Sequence, residues 1–198
     1  SHTVYALTAA IDAKDSYTFA HSQNVADYAA ILATAAGLSD EQIRIVYEAG
    51  LLHDIGKISI PESILTKPII LTEDEYEIMK SHVKSSIDMI RHLPSMDYVI
   101  PAAISHHERW DGKGYPRGIS GDNIPVTGRC LAIADAFDAM TTSRAYRKAL
   151  PIDYAIDQIE KGASEQFDPE LAGLFVSLVR SGEINPNMQE KAPLASNE

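Results

Sequence analysis

The sequence has one cysteine, Cys130, in 198 residues, so it forms no intrachain disulfide and no multi-cysteine zinc module. It lacks an uninterrupted apolar run of the roughly 18 residues that a membrane span needs. It also lacks the basic-then-apolar opening of a secretory signal. Bases are scarce: 17 Lys and Arg against 28 Asp and Glu leave a formal net charge of −11, which argues against a nucleic-acid polymer as partner. Disorder is excluded by an apolar fraction of 45%. No stretch alternates cleanly enough to read as a strand. What remains is a soluble, cytoplasmic chain with the length for one ordinary core. Its opening Ser1-His2 reads as a cloning remnant before a domain over 3–183, cut from a larger protein, with a flexible polar tail at 184–198.

The apolar spacing is helical almost throughout and predicts an all-α domain of roughly eight helices. They fall at 3–13, 17–36, 39–52, 72–90, about 96–106, 127–142, 153–161 and 168–180. Ser39 to Gln42 and Thr72 to Glu75 read as capping boxes, and Asp168-Pro169 as an N-cap followed by a first-turn proline. Tyr76, Met79, Val83, Ile87 and Ile90 form one apolar stripe. Residues 57–71, with Pro61 and Pro68, predict a connector with at most one short turn. Residues 107–126 hold four Gly and two Pro and predict a long loop, a place where function often resides. Residues 101–150 carry a net charge of +2 while the remainder carries −13. That local excess suits a small anionic ligand, or else a solvated basic face.

Seven histidines are present. His2 lies in the expected remnant and His92 at a helix end, and both read as ordinary. His21 shares a helix face with Val25, Tyr28 and Leu32. His53 ends the third helix and is followed at once by Asp54. His82 sits one position off its apolar stripe, and His106 continues the face of Val99 and Ala103 with His107 beside it. Asp135 lies on an otherwise apolar helix, where a buried carboxylate is costly unless paired or bound to a metal. Taken singly, each histidine reads as a satisfied core residue. Together, five inward histidines and two inward aspartates need a common cause. Imidazole and carboxylate without thiolate suit iron, manganese or zinc. Seven ligands exceed one ion's needs and suit two sharing a carboxylate. Two ions about 3.5–4 Å apart can clamp the attacking and leaving oxygens at phosphorus. The residues alone point to a metal-dependent phosphohydrolase.

Two segments resemble the signatures of the HD-GYP family. They are His53-Asp54-Ile55-Gly56-Lys57 with Ile60-Pro61, and His106-His107-Glu108 running through Asp111-Gly112-Lys113-Gly114-Tyr115-Pro116. The likeness continues through Ile124-Pro125, Asp135 to Thr141, Arg144 to Arg147 and Phe167-Asp168-Pro169, covering roughly residues 12–175. The resemblance implies an HD-type helical fold and hydrolysis of cyclic dinucleotides, chiefly cyclic di-GMP, opened to linear pGpG, with onward cleavage to GMP compatible with it. It implies one ion, iron or manganese, on His53, Asp54 and Asp135 with His21 at or beside it. A second would sit on His82, His106 and His107, with Asp54 bridging. Lys57 would reach the bridging solvent or a phosphate oxygen, and Tyr115, Arg144 and Arg147 would contact the ligand. Asp15 and Asp138 match positions that support the ligands from behind. Fusion to a sensory or receiver domain is implied, and a homodimer is compatible with it.

Three positions depart from the pattern. Tyr17 stands where some members place a Glu for a third metal, which predicts two ions here. Ile69 and Ser86 stand where Gly is usual and predict altered packing only. Three other readings stay open: a hydrolase of the hybrid cyclic GMP–AMP ring, a cyclic-dinucleotide-binding module with little turnover, and a general nucleotide phosphohydrolase. The last leaves the Gly-Tyr-Pro loop unexplained.

Overall fold

The computed structural model describes residues 2–14, 21–143 and 147–186. Among them lie ten α-helical segments and no strand. They are α1 His2–Lys14, α2 His21–Ala35, α3 Asp40–Leu52, the single turn α4 Glu62–Leu65, α5 Glu73–Lys80, α6 His82–Ile90, α7 Ile100–Ser105, α8 Val126–Thr141, α9 Ile152–Gly162 and α10 Pro169–Arg180. The all-α expectation holds. No helix among the described residues is long and apolar enough to cross a membrane.

Both capping boxes form as read: Ser39 and Thr72 accept from the backbone of Gln42 and Glu75, whose side chains return the bond. Asp168 caps α10, accepting from the backbone N–H of Glu170 and Leu171 at 2.9 and 3.2 Å. The centre of the molecule is α2 packed between α3 and α8. Val25, Ala29 and Leu32 meet Leu131, Ile133 and Phe137, all fully buried. Small residues set the spacing. A Cβ on Gly50 of α3 would lie 2.7 Å from the Ala26 Cα of α2, so only glycine lets these helices approach so closely.

Three expectations need correction. The helix expected from 72 to 90 is broken at Ser81. Its hydroxyl donates to the Ile78 carbonyl at 2.5 Å and its N–H is shared between Glu77 and Ile78, which tightens the turn and ends α5. The apolar stripe is split as a result: Val83, Ile87 and Ile90 are buried, whereas Tyr76 stays 47% exposed and α5 buries no residue. The connector at 57–71 holds two short turns rather than one, a 3-10 turn at Ile55–Ser59 and α4. Ile184, placed in the tail, is buried in the core and its N–H donates to the Leu178 carbonyl at 3.1 Å. Residues 187–198 lie outside the described residues.

Candidate metal centre

The histidines and aspartates of the cluster come from the ends or inner faces of helices. His53 caps the C-terminus of α3, and Asp54 follows with φ −107° and ψ 9°, a bridge conformation that turns the chain sharply. The 3-10 turn after it lies flush against α6. The Gly56 N–H donates to Ser86 Oγ at 2.8 Å, and the Ser86 hydroxyl donates on to the His53 carbonyl at 3.1 Å. A Cβ at Gly56 would lie 2.2 Å from the His82 carbonyl oxygen, so the glycine is what brings His82 alongside Asp54. On the other side α7 is drawn onto α8, with Gly128 directly under the Ser105 Cβ. That seam carries His106 and His107, just past α7, toward Asp135 of α8.

The result is two groups of ligand-type atoms, each within 4.8 Å of one another: His21, His53, Asp54 and Asp135, and His82, His106 and His107. Asp54 stands between them. Its Oδ2 lies 3.1 Å from His53 Nε2 and 3.4 Å from His21 Nε2. Its Oδ1 lies 3.4 Å from His82 Nε2 and 3.9 Å from His106 Nε2. Asp135 Oδ1 closes the first group at 3.3 Å from His21 and 3.6 Å from His53. Lys57 Nζ lies 3.1 Å from Asp54 Oδ2.

The rings are held from behind. The Nδ1 atoms of His53, His82 and His106 sit 2.6, 2.7 and 2.6 Å from the carbonyl oxygens of Gly50, Met79 and Ala103. A carbonyl only accepts, so Nδ1 carries the hydrogen and Nε2 offers its lone pair to the shared space. For His21 the same support comes from Asp138, at 2.5 Å from Nδ1, itself buried and accepting from Asn24 and Thr142 at 3.0 Å each. Among the described residues the buried Nε2 atoms of His53, His82 and His106 make no hydrogen bond. Three imidazole nitrogens converging beside the buried carboxylate of Asp54 and the partly exposed one of Asp135 is a donor set that fits metal cations.

The electrostatics divide the same way. Burial opposes charge on His53, but Asp54 and Asp135 outweigh it and push the ring up to about 10. His21 is raised against burial by Asp135, Asp138 and Asp54. Burial raises the Asp54 and Asp135 carboxyls, yet their histidine neighbours, and Lys57 beside Asp54, hold both well below the usual carboxylate range. In the other group burial keeps the rings neutral: His82 and His106 are lowered, and His107 is pulled down to about 4. One half of the site thus draws positive charge in, and the other presents neutral imidazoles.

A cavity of about 590 Å³ opens beside the cluster, lined by His106, His107 and Asp135 and by residues of the 107–126 loop. Tyr115 of that loop stacks on His107 at 4.8 Å and 20°, and its N–H donates to the His107 carbonyl at 3.2 Å. Burial pushes its phenol up, so it stays neutral. Glu108 braces the turn, one oxygen accepting from the Arg117 N–H at 2.7 Å. Arg147 donates to the carbonyl of Ala139, a cavity-lining residue. Asp15 and Arg144, implied by the resemblance, and Tyr17, which departs from it, lie outside the described residues. Cys130 is buried with its thiol pushed up to about 12 by burial, which leaves it no nucleophile's role. Sequence reasoning missed Tyr76, Lys113 and Gln166 as cavity residues, and missed Ser86 as the link between His53 and Gly56.

The family model described as "HD domain" matches residues 6–171. Among curated proteins, the cyclic di-GMP phosphodiesterase of Thermotoga maritima is 38% identical over 167 residues, 83% of this chain and 45% of that protein. The cyclic di-GMP phosphodiesterase response regulator RpfG of Xanthomonas campestris is 39% identical over 169 residues, 84% of this chain and 45% of that protein. The 3'3'-cGAMP-specific phosphodiesterase 2 of Vibrio cholerae is 37% identical over 175 residues, covering 87% of this chain and 34% of that protein. The chain thus spans less than half the length of these relatives. In fold it is similar to the crystal structure of the cyclic GMP-AMP specific phosphodiesterase V-cGAP3 of V. cholerae. The TM-score is 0.73 and the identity 20%, over 93% of this chain and 49% of that one. The chain belongs to the HD domain family, in the HD-GYP branch that its two signatures mark.

Proposed function

We propose that this chain is a metal-dependent phosphodiesterase domain that opens cyclic di-GMP to linear pGpG. The observation that carries the reading is Asp54, whose two oxygens face two separate histidine groups. His53, Asp54 and Asp135, with His21, would hold one divalent cation, and His82, His106 and His107 the other, iron or manganese matching the nitrogen and oxygen donors. Such a pair supplies Lewis-acid charge at phosphorus and a water acidified toward neutral pH. The chain's own residues do the rest. Lys57, beside Asp54, is placed to bond a non-bridging phosphate oxygen and offset the charge that grows there. Tyr115 flanks the phosphate end of the cavity and is a neutral donor to the substrate. Asp138 holds His21 in one orientation throughout. Water adds to one phosphorus, the P–O3′ bond breaks, and the 3′ oxygen leaves with a proton. The relatives named for cyclic di-GMP support the substrate, and the one named a response regulator supports a fused receiver domain.

Hydrolysis of the hybrid ring is the second reading, favoured by relatives of 36–43% identity named as 3'3'-cGAMP-specific phosphodiesterases. The test is elemental analysis of anaerobically purified protein, paired with chromatography of its products from each cyclic dinucleotide. Two ions per chain and release of pGpG from cyclic di-GMP are expected. Conversion of the hybrid ring alone would move the assignment to the second reading, and no turnover of either by fully loaded protein would overturn both.

A further inference from the structure

The cavity has an aromatic wall that the metal chemistry does not use. Tyr76 of α5 lines it with Tyr115, the two rings 6.4 Å apart at 83°. Tyr115 already spends one face on His107. Tyr76 remains 47% exposed, so ring surface faces open space at the mouth of the site. Lys80 Nζ lies 5.0 Å from the Tyr76 centroid and 5.7 Å from that of Tyr115, and one ammonium thereby ties the corner together. The core does not demand this placement. No residue of α5 is buried, and the segment is anchored by a small satellite cluster of Ile60, Ile64 and Leu65 with Leu71 and Met79. The Lys67–Glu75 pair at 2.5 Å adds a second tie. A large aromatic ring is thus held over the cavity, half-exposed, on a helix none of whose residues is fully buried.

We propose that Tyr76 is a substrate-contact residue on which one purine of the cyclic dinucleotide stacks. The inference rests on the functional reading above and deepens it by naming a base subsite. A volume of about 590 Å³ exceeds what a phosphate needs and falls in the range of small-molecule sites. With phosphorus fixed at the histidine and aspartate end, the base must extend toward the mouth. Every purine has two apolar faces, and Tyr76 is the flat apolar surface that the mouth offers. The neighbouring Lys113 and Gln166 are polar and match a base's edge instead. Stacking on tyrosine tolerates either purine, so this subsite supplies affinity and leaves the choice of base to the edge contacts.

The test is equilibrium binding of GMP and rapid-mixing, single-turnover binding of cyclic di-GMP to manganese-loaded protein, beside steady-state kinetics. Tyr76→Ala should weaken both nucleotides roughly ten- to a hundredfold and raise KM, with kcat far less affected. Tyr76→Phe, which keeps the ring, should restore the affinity, and its exposed position leaves folding intact in either variant. Unchanged binding of both nucleotides by Tyr76→Ala overturns the proposal even if the enzyme is active. If the wild type binds both without hydrolysing either and Tyr76→Ala still binds weakly, the functional reading falls and the stacking role stands. A wild type that binds neither nucleotide overturns both.

Discussion

At the scale of the residue, Asp54 decides what the site can be. A carboxylate buried to 4% exposure, between two histidine groups and beside a lysine, is surrounded by donors. Asp54→Ala should therefore strip most of the bound metal and all turnover while the helical circular dichroism survives. Near-normal metal content in that variant would end the bridging role. Lys57 makes a useful contrast, since an ammonium cannot ligate a cation. Lys57→Ala should keep its metal and lose one charged contact to phosphate, about 1.5–3 kcal/mol, or roughly ten- to a hundredfold in kcat/KM. Elemental analysis and kinetics on the two variants separate ligand from phosphate contact, and metal loss in Lys57→Ala would place the lysine wrongly.

At the scale of the element, the site is made by close approaches between helix ends. The 3-10 turn at Ile55–Ser59 reaches α6 only because Gly56 has no side chain, with the Ser86 N and the His82 carbonyl within 2.4 and 2.2 Å of where a Cβ would go. Gly56→Ala must push the turn off α6 and carry Asp54 away from His82. It should cost about 1–3 kcal/mol of overpacking and lower the melting temperature by several degrees. Gly173 of α10 has nothing within 4 Å of its Cβ position, so Gly173→Ala should hold or slightly raise stability. Equal melting curves for the two variants would show that the seam is slack. These seams also mark what sequence makes legible. The caps at Ser39, Thr72 and Asp168, and the inward histidines, announce themselves through local spacing, and the structure places them as read. The break at Ser81 does not, because the residue suits a helix and the bonds of its hydroxyl and N–H to Ile78, which tighten the turn, leave no trace in the spacing. Without that break the spacing puts Tyr76 on the core stripe, which hides its place at the cavity. Ser86 reads in sequence as a packing variation, since its bonds run to Gly56 and His53, some thirty residues earlier in the chain.

At the scale of the whole molecule, metal and fold should be one equilibrium. The histidine and aspartate ligands come from α2, the end of α3, α6, the segment after α7, and α8, so no part of the chain holds a complete site by itself. Unfolding therefore scatters the donors, and a cation that binds the folded chain shifts the balance toward it. Without cations the fold carries the buried ring nitrogens of His82 and His106, which make no hydrogen bond among the described residues, each an unmet desolvation cost of about 1–3 kcal/mol. Free metal at about a thousand times its dissociation constant contributes roughly 4 kcal/mol per site. For a chain of this size each kcal/mol moves the melting temperature by about 2–4 °C. Chelator-stripped protein should then melt some 8–16 °C below manganese-replete protein for one filled site, and further below with both filled. Differential scanning calorimetry across a manganese titration measures it directly. Asp54→Ala should flatten most of the response, while Lys57→Ala leaves it in place. A melting temperature indifferent to metal in the wild type would mean that these histidines and aspartates satisfy one another by protonation instead of holding a cation.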